Sequence, residues 1–212
     1  MKLSVLRHSL LLALVVGLSA CGGKATFPVE GKIENLKYSG LVLSNVGMQN
    51  LAVDANATSF RFPNTIEYGV PYDVKVVTSA LHQSCNLAPL DSGKDTAGRQ
   101  ASINVFIRCI DNAFSIGGAV KVIGADGKVL PYTGDGLVLI NGSNDRYSMP
   151  KDATAYKFAR AIPYGTSYGV SVLTQPDGGK YVCTVERGVG IMGTGEKGDA
   201  DVTNIDVTCR EK

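Results

Sequence analysis

Ile66-Glu67-Tyr68-Gly69-Val70-Pro71-Tyr72-Asp73-Val74-Lys75-Val76 recurs 96 positions later as Ile162-Pro163-Tyr164-Gly165-Thr166-Ser167-Tyr168-Gly169-Val170-Ser171-Val172. Each copy carries Tyr-Gly, a turn signal, and closes on valines two apart. That alternation places the valines on one face of a strand. Other matches follow in the same order. Gly40-Leu41-Val42-Leu43 returns as Gly136-Leu137-Val138-Leu139, and Phe60-Arg61-Phe62 as Tyr156-Lys157-Phe158. Upstream, Phe27, Val29, Gly31 and Ile33 match Phe114, Ile116, Gly118 and Val120 at a shorter lag of 87. The second copy therefore carries about nine extra residues near Ala125-Asp126-Gly127-Lys128. Asp-Gly favours a two-residue hairpin turn, so this insertion is expected to lengthen a hairpin.

The repeat reads as two tandem β-sandwich domains, 27–109 and 114–209, joined by Ile110-Asp111-Asn112-Ala113. Each holds about seven candidate strands, with turn signals every 8–12 residues. Ile103, Val105, Ile107 and Cys109 share one face of the last strand of the first domain. Thr203, Ile205, Val207 and Cys209 do so in the second. Helix-period patterns are scarce and glycine is frequent, 25 of 212 residues, so the chain is all-β.

The amino terminus carries an address. Lys2 and Arg7 precede the apolar run Leu10 to Val16, and small residues follow, the layout of a secretory signal peptide. The run is about 12 residues or fewer, short of the roughly 20 that a spanning helix needs. Leu18-Ser19-Ala20-Cys21 resembles the lipobox of bacterial lipoproteins. The resemblance implies removal of residues 1–20, acylation of Cys21 (a palmitate-type modification), and a lipidated tether over 21–26. Gly22, rather than Asp, follows the cysteine, which in the enteric sorting pattern directs such proteins to the outer membrane.

The tandem repeat also resembles a known type. Gly-Leu-Val-Leu, Tyr-Gly-x-x-Tyr-x-Val-x-Val, Thr174-Gln175-Pro176, Cys183 and Val202-Thr203-Asn204-Ile205-Asp206-Val207-Thr208-Cys209 are similar to repeats found in tandem in bacterial surface and envelope proteins. The resemblance implies immunoglobulin-like or transthyretin-like sandwiches and brings no catalytic motif. The first copy departs from it: Thr78-Ser79-Ala80 stands where the second has Thr-Gln-Pro, and 86–100 is unlike its counterpart.

Five cysteines less the lipidated one leave four, which allow three pairings. The repeat selects Cys85–Cys109 and Cys183–Cys209, one structural bridge per domain. There is no Cys-x-x-Cys, and beyond the signal segment the only histidine is His82, read as a solvated loop residue. Gly188-Val189-Gly190-Ile191-Met192-Gly193 fits G-x-G-x-x-G but lacks the βαβ context its phosphate chemistry requires. Asp91, Asp95, Asp199 and Asp201 form no calcium-loop pattern. No cofactor and no metal site is expected.

Lys and Arg number 21 against 19 Asp and Glu. Without Lys2 and Arg7 the charges balance, which gives no footprint for nucleic acid. The expected function is a membrane-anchored, non-enzymatic module for structure or protein interaction in the envelope. The partner would be an envelope protein or polysaccharide. A carbohydrate-binding module, using tyrosine platforms, is the main alternative. An enzyme with an unrecognised carboxylate site is the other. The candidate binding loops lie between the paired cysteines: Asp91, Lys94, Asp95 and Arg99 in the first copy, and Arg187, Met192, Glu196 and Lys197 in the second. They are expected to be replaceable connectors on a rigid sandwich.

Overall fold

Alternation carries over directly into strands. In the computed structural model, which describes residues 23–176, 178, 181–194 and 198–212, Ile103, Val105, Ile107 and Cys109 are buried while the residues between them are exposed. The signal segment and Cys21 lie outside the described residues, as do Glu196 and Lys197. Two compact units form. One runs to Ser79 and resumes over Cys85–Arg108; the other comprises Ala80–Ser84 and Cys109–Lys212.

The first repeat supplies β1 (Thr26–Glu34), β2 (Leu41–Ser44), β3 (Leu51–Val53), β4 (Ser59–Glu67), β5 (Pro71–Asp73), β6 (Lys75–Thr78), β7 (Gln83–Leu87), β8 (Lys94–Thr96) and β9 (Ile103–Asp111). One sheet has the order β4-β1-β9-β7 and the other β3-β2-β6, with β5 and β8 forming a two-stranded ribbon. Val29, Ile33, Phe60, Phe62 and Ile107 from the first sheet, with Leu41 and Leu43 from the second, are buried as a sandwich core. β1 and β9 run parallel, in register from Val29↔Ile103 to Glu34↔Arg108.

The second repeat supplies β10 (Ala113–Phe114), β11 (Gly117–Ile123), β12 (Val129–Leu130), β13 (Val138–Asn141), β14 (Asp145–Ser148), β15 (Ala155–Lys157), β16 (Ile162–Pro163), β17 (Ser167–Thr174), β18 (Tyr181–Val185), β19 (Val189–Ile191) and β20 (Val207–Glu211). The sheets are β12-β11-β20-β18, with β15 also on β11, and β14-β13-β17-β19. Their inner faces share one core, including Tyr132, Leu139, Phe158, Val170 and Val207. β11 and β20 are again parallel. The chain is thus all-β, two tandem sandwiches.

Turns fall where the sequence asks for them. Gly69 and Gly165 take φ of 83° and 75°, the left-handed region, in the two Tyr-Gly turns. The second-copy insertion makes the β11–β12 hairpin, closed by Gly124 N–H donating to the Lys128 carbonyl at 3.0 Å. Tyr132 behind it is fully buried.

Some expectations change. Ile110 and Asp111, read as linker, extend β9. Thr203 is exposed, not a core residue. Ile116 bridges Val202, while Val120 pairs Val207, so one extra residue must bulge out between Val202 and Val207.

Candidate functional site

The stretch between the paired cysteines was expected to be unlike in the two copies. The backbone shows a shared frame instead. Val74 N–H donates to Gly93 O (2.8 Å) and Val170 N–H to Gly188 O (2.7 Å). Gly69 N–H donates to Ala97 O, and Gly165 N–H to Met192 O, both at 2.9 Å. β5 pairs β8, and the start of β17 pairs β19, at equivalent registers. Gly93 and Gly188 are needed for the same reason. A Cβ would lie 2.6 Å from the Val74 carbonyl oxygen in one and 2.4 Å from that of Val170 in the other. Between the paired cysteines the copies differ in length at two places. Four residues separate Ala88 from Gly93, where Arg187 alone separates Glu186 from Gly188; four separate Gly98 from Ile103, where nine separate Gly193 from Thr203.

The sequence-predicted residues distribute over that frame as follows. Asp91 is a strut: Oδ1 accepts from Gly93 N–H at 2.8 Å and Oδ2 from Phe106 N–H at 2.7 Å. Lys94 and Asp95 lie in β8. Asp95 Oδ1 accepts from Thr96 N–H (2.7 Å) and from Arg99 Nη1 (3.3 Å). Arg187 sits at φ 54°; its Nε donates to Asn204 O and its Nη2 to Asp206 Oδ2, each at 2.7 Å. Met192 is fully buried in the second core, so it is a packing residue and not a loop contact. It takes the place of buried Ala97, the equivalent position in the first copy.

Asp91, Lys94 and Asp95 are brought together around a cleft of about 380 Å³ that Tyr72, Leu90, Asn104 and Phe106 also line. Leu90 stands fully exposed at φ 74°, on the three-residue insertion. Burial raises the Tyr72 pKa above the ordinary phenol value, and the Asp95 and Asp91 charges add to the shift. Arg99, tied to Asp95, closes the set. The cleft offers a neutral phenol, an ammonium and carboxylates already engaged with backbone amides. Such groups can hydrogen-bond a polar ligand.

A second groove, of about 310 Å³, lies on the second unit beside Gly117, Ala119, Ala155 and Lys157. Its rim is the Lys157–Asp201 ion pair at 2.8 Å. That bond, then the Ser115 N–H at 2.8 Å, lowers the Asp201 pKa. The equivalent groove of the first unit is lined by Glu30, Lys32, Ser59 and Arg61, where Glu30 and Arg61 pair at 2.8 Å.

His82 differs from the solvated residue expected. Its ring stacks on Tyr164 at 3.8 Å with 5° between planes, and Nδ1 lies 2.7 Å from Asp199 Oδ1. Its side chain is 29% exposed. No local signal marks this; segment Ala80–Ser84 packs with the second unit although it belongs in sequence to the first repeat.

Cys183 and Cys209 form a disulfide across β18 and β20, where they are directly paired. Cys85 and Cys109 are disulfide-bonded as well. In each bridged strand pair the first cysteine is also clamped by a side chain. Gln175 Oε1 accepts from Cys183 N–H (2.7 Å) while its Nε2 donates to Cys183 O (3.1 Å). Ser79 Oγ accepts from Cys85 N–H (2.9 Å) and donates to Cys85 O (3.4 Å). The departure of Thr-Ser-Ala from Thr-Gln-Pro thus keeps the clamp with a shorter side chain. Among the described residues no three His, Cys, Asp or Glu side chains gather as a metal site, and no helix is long and apolar enough to cross a membrane.

No family model matches the chain, and no curated protein matches it. Solved structures do. The Bacillus anthracis TIE protein aligns at 13% identity over 88% of this chain and 34% of its own, with a TM-score of 0.47. The pilus adhesin SpaC from Lactobacillus rhamnosus GG aligns at 10% identity over 87% of this chain and 31% of its own, with a TM-score of 0.34. A major pilin from Streptococcus pyogenes gives 12% identity over 89% and 99%, with a TM-score of 0.30. The chain spans about a third of the length of the first two. The identities are too low, and the superpositions too loose, for function to pass from these proteins to this chain.

Proposed function

We propose that this chain is a lipid-anchored protein of the bacterial outer membrane, held by acylated Cys21, whose two sandwiches form a non-enzymatic structural or protein-interaction module. One observation carries the non-enzymatic part. Three carboxylates that could have served a reaction site, Asp91, Asp201 and Asp206, are spent on the protein's own backbone and ion pairs. Asp91 uses both oxygens on amides. Asp201 uses one on Ser115 N–H and one on Lys157. Asp206 uses one on Ala119 N–H and one on Arg187. Carboxylate catalysis needs one protonated and one ionised group facing a substrate. Carboxylates with both oxygens engaged in this way serve as struts.

The experiment is membrane fractionation of the native host with mass spectrometry of the amino-terminal peptide. The wild type should sediment with the outer membrane and begin at an acylated Cys21. Cys21→Ala should leave the membrane fraction. A mature protein with unmodified Cys21 sinks the anchoring half. Hydrolase activity abolished by a single carboxylate substitution sinks the other.

A further inference from the structure

Resting on the reading of Cys21 as the lipid anchor, we propose that the end of the first unit carrying Ala25, Tyr68 and Val70 docks on the lipid surface. The protein would then stand on this end and not hang from a slack leash.

Four links separate Cys21 from Ala25, a reach of at most about 14 Å even when fully extended. Ala25 is fixed to the fold, since its carbonyl accepts from Tyr68 N–H at 2.8 Å. The Tyr-Gly turn of the first unit is therefore held next to the headgroups. Apolar side chains stand out at that end, beside the exposed Lys24–Glu67 ion pair at 2.9 Å. Tyr68 is 65% exposed and Val70 38%. Val46, in the β2–β3 turn that opens toward the same end, is 56% exposed.

The second repeat is an internal control, because it has the same turns and no anchor. Asp73 N–H bonds to Asn45 Oδ1 at 2.8 Å, and Gly169 N–H to Asn141 Oδ1 at 2.9 Å, so the residue after each asparagine is equivalent. Val46 is then matched by Gly142, and Val70 by Thr166. Tyr68 rests against Gly98, and Tyr164 rests in the same way against Gly193. Tyr164, however, is covered by the stacked His82 ring. Exposed apolar side chains at these positions occur only in the copy beside the anchor. A tyrosine flanked by aliphatic residues suits the boundary between headgroups and acyl chains, where an amphipathic ring keeps its hydroxyl wet. Three side chains bind a membrane weakly by themselves. A short tether makes their docking intramolecular, at high effective concentration.

The chain has no tryptophan, so a single Val70→Trp is the only indole emitter. The acylated full-length protein is placed in phosphatidylethanolamine/phosphatidylglycerol vesicles with and without brominated acyl chains. Intact mass first establishes acylation at Cys21; an unacylated chain overturns the anchor reading and the docking with it. With acylation present, Val70→Trp should lose about half its emission to bromines, as expected for a side chain at the interface some 5–10 Å deep. Val46→Trp should behave alike, and Thr166→Trp at the equivalent site should not be quenched. Acylated, vesicle-bound Val70→Trp and Val46→Trp with undiminished emission overturn the docking while leaving the anchor standing. Equal quenching of Thr166→Trp also overturns it, because the contact is then not specific to the end beside the anchor.

Discussion

Gly31 and Gly118 are fixed by a backbone approach that no other residue allows. A Cβ would lie 1.9 Å from the Val105 carbonyl oxygen in one case and 2.0 Å from that of Ile205 in the other. Neither oxygen can retreat without parting the parallel strands. Gly31→Ala or Gly118→Ala should cost about 1–3 kcal/mol or more, measured by urea unfolding. Gly169→Ala is the contrast: the site is open, with nothing within 4 Å, and the change should be neutral or stabilising by up to about 1 kcal/mol. Asp201 gives a pH signature. Its pKa is lowered in the fold, by Lys157 first, so its contribution is present above the unfolded carboxylate pKa near ~3.9 and is lost as pH falls through the lower folded value. Asp201→Asn should therefore reduce wild-type stability at neutral pH and flatten its decline below about pH 4. An unchanged acid limb would mean that Asp201 is not part of it. Tyr156 acts at the other extreme. Burial, then the Asp206 charge, pushes its pKa up, and its hydroxyl donates to Ile205 O at 2.8 Å. Its stabilisation is complete below the unfolded tyrosine pKa near ~10 and declines as pH rises from there toward the folded value. Tyr156→Phe should cost about 1 kcal/mol at neutral pH and remove part of the alkaline loss.

Strands with clear two-residue alternation were legible from sequence, as β9 shows over Ile103–Asp111. The three-residue strands were not. Lys94-Asp95-Thr96 and Val189-Gly190-Ile191 share no residue type and are too short to show a period, yet they hold equivalent registers. Backbone hydrogen bonds fix them, and backbone bonds leave no trace in side-chain chemistry beyond the paired glycines. This is why the candidate loops look variable in sequence and are built-in edges in the fold. Replacing 89–99 with a Gly-Ser linker deletes β8, the Asp91 strut and the Ala97 bonds. It should cost several kcal/mol, at about 0.5–1.5 kcal/mol net for each of these hydrogen bonds, where a replaceable connector would cost almost nothing. Thermal unfolding of that variant at wild-type temperature would show that the edge is dispensable. The Ser79 clamp was hidden for a different reason: one hydroxyl does the work of a longer amide, so the motif changes while the bonds persist.

The duplication of the whole molecule was legible because the same core positions recur in the same order. The docking of Ala80–Ser84 with the second unit was not, since a single histidine meeting a tyrosine 82 residues away carries no periodic signal. Each repeat has its own core and its own bonded cysteines. Cys183→Ser should therefore lower the stability of the second unit by about 2–5 kcal/mol and leave the first unfolding transition in place. A single transition shifted as a whole would join the two cores into one cooperative body. The parallel pairing of first and last strands in each unit has a mechanical meaning. Tension between the ends of such a unit pulls β1 against β9, or β11 against β20, along their own axes. The bonds of the ladder are then loaded together in shear, and none can peel open ahead of the others. A protein stretched between a membrane and a distant partner would resist at these two seams. When the second seam yields, the 26-residue span closed by Cys183 and Cys209 stays looped. Its extension in a force trace should fall short by about 90 Å, at roughly 3.3–3.6 Å per residue, and reducing agent should restore that length.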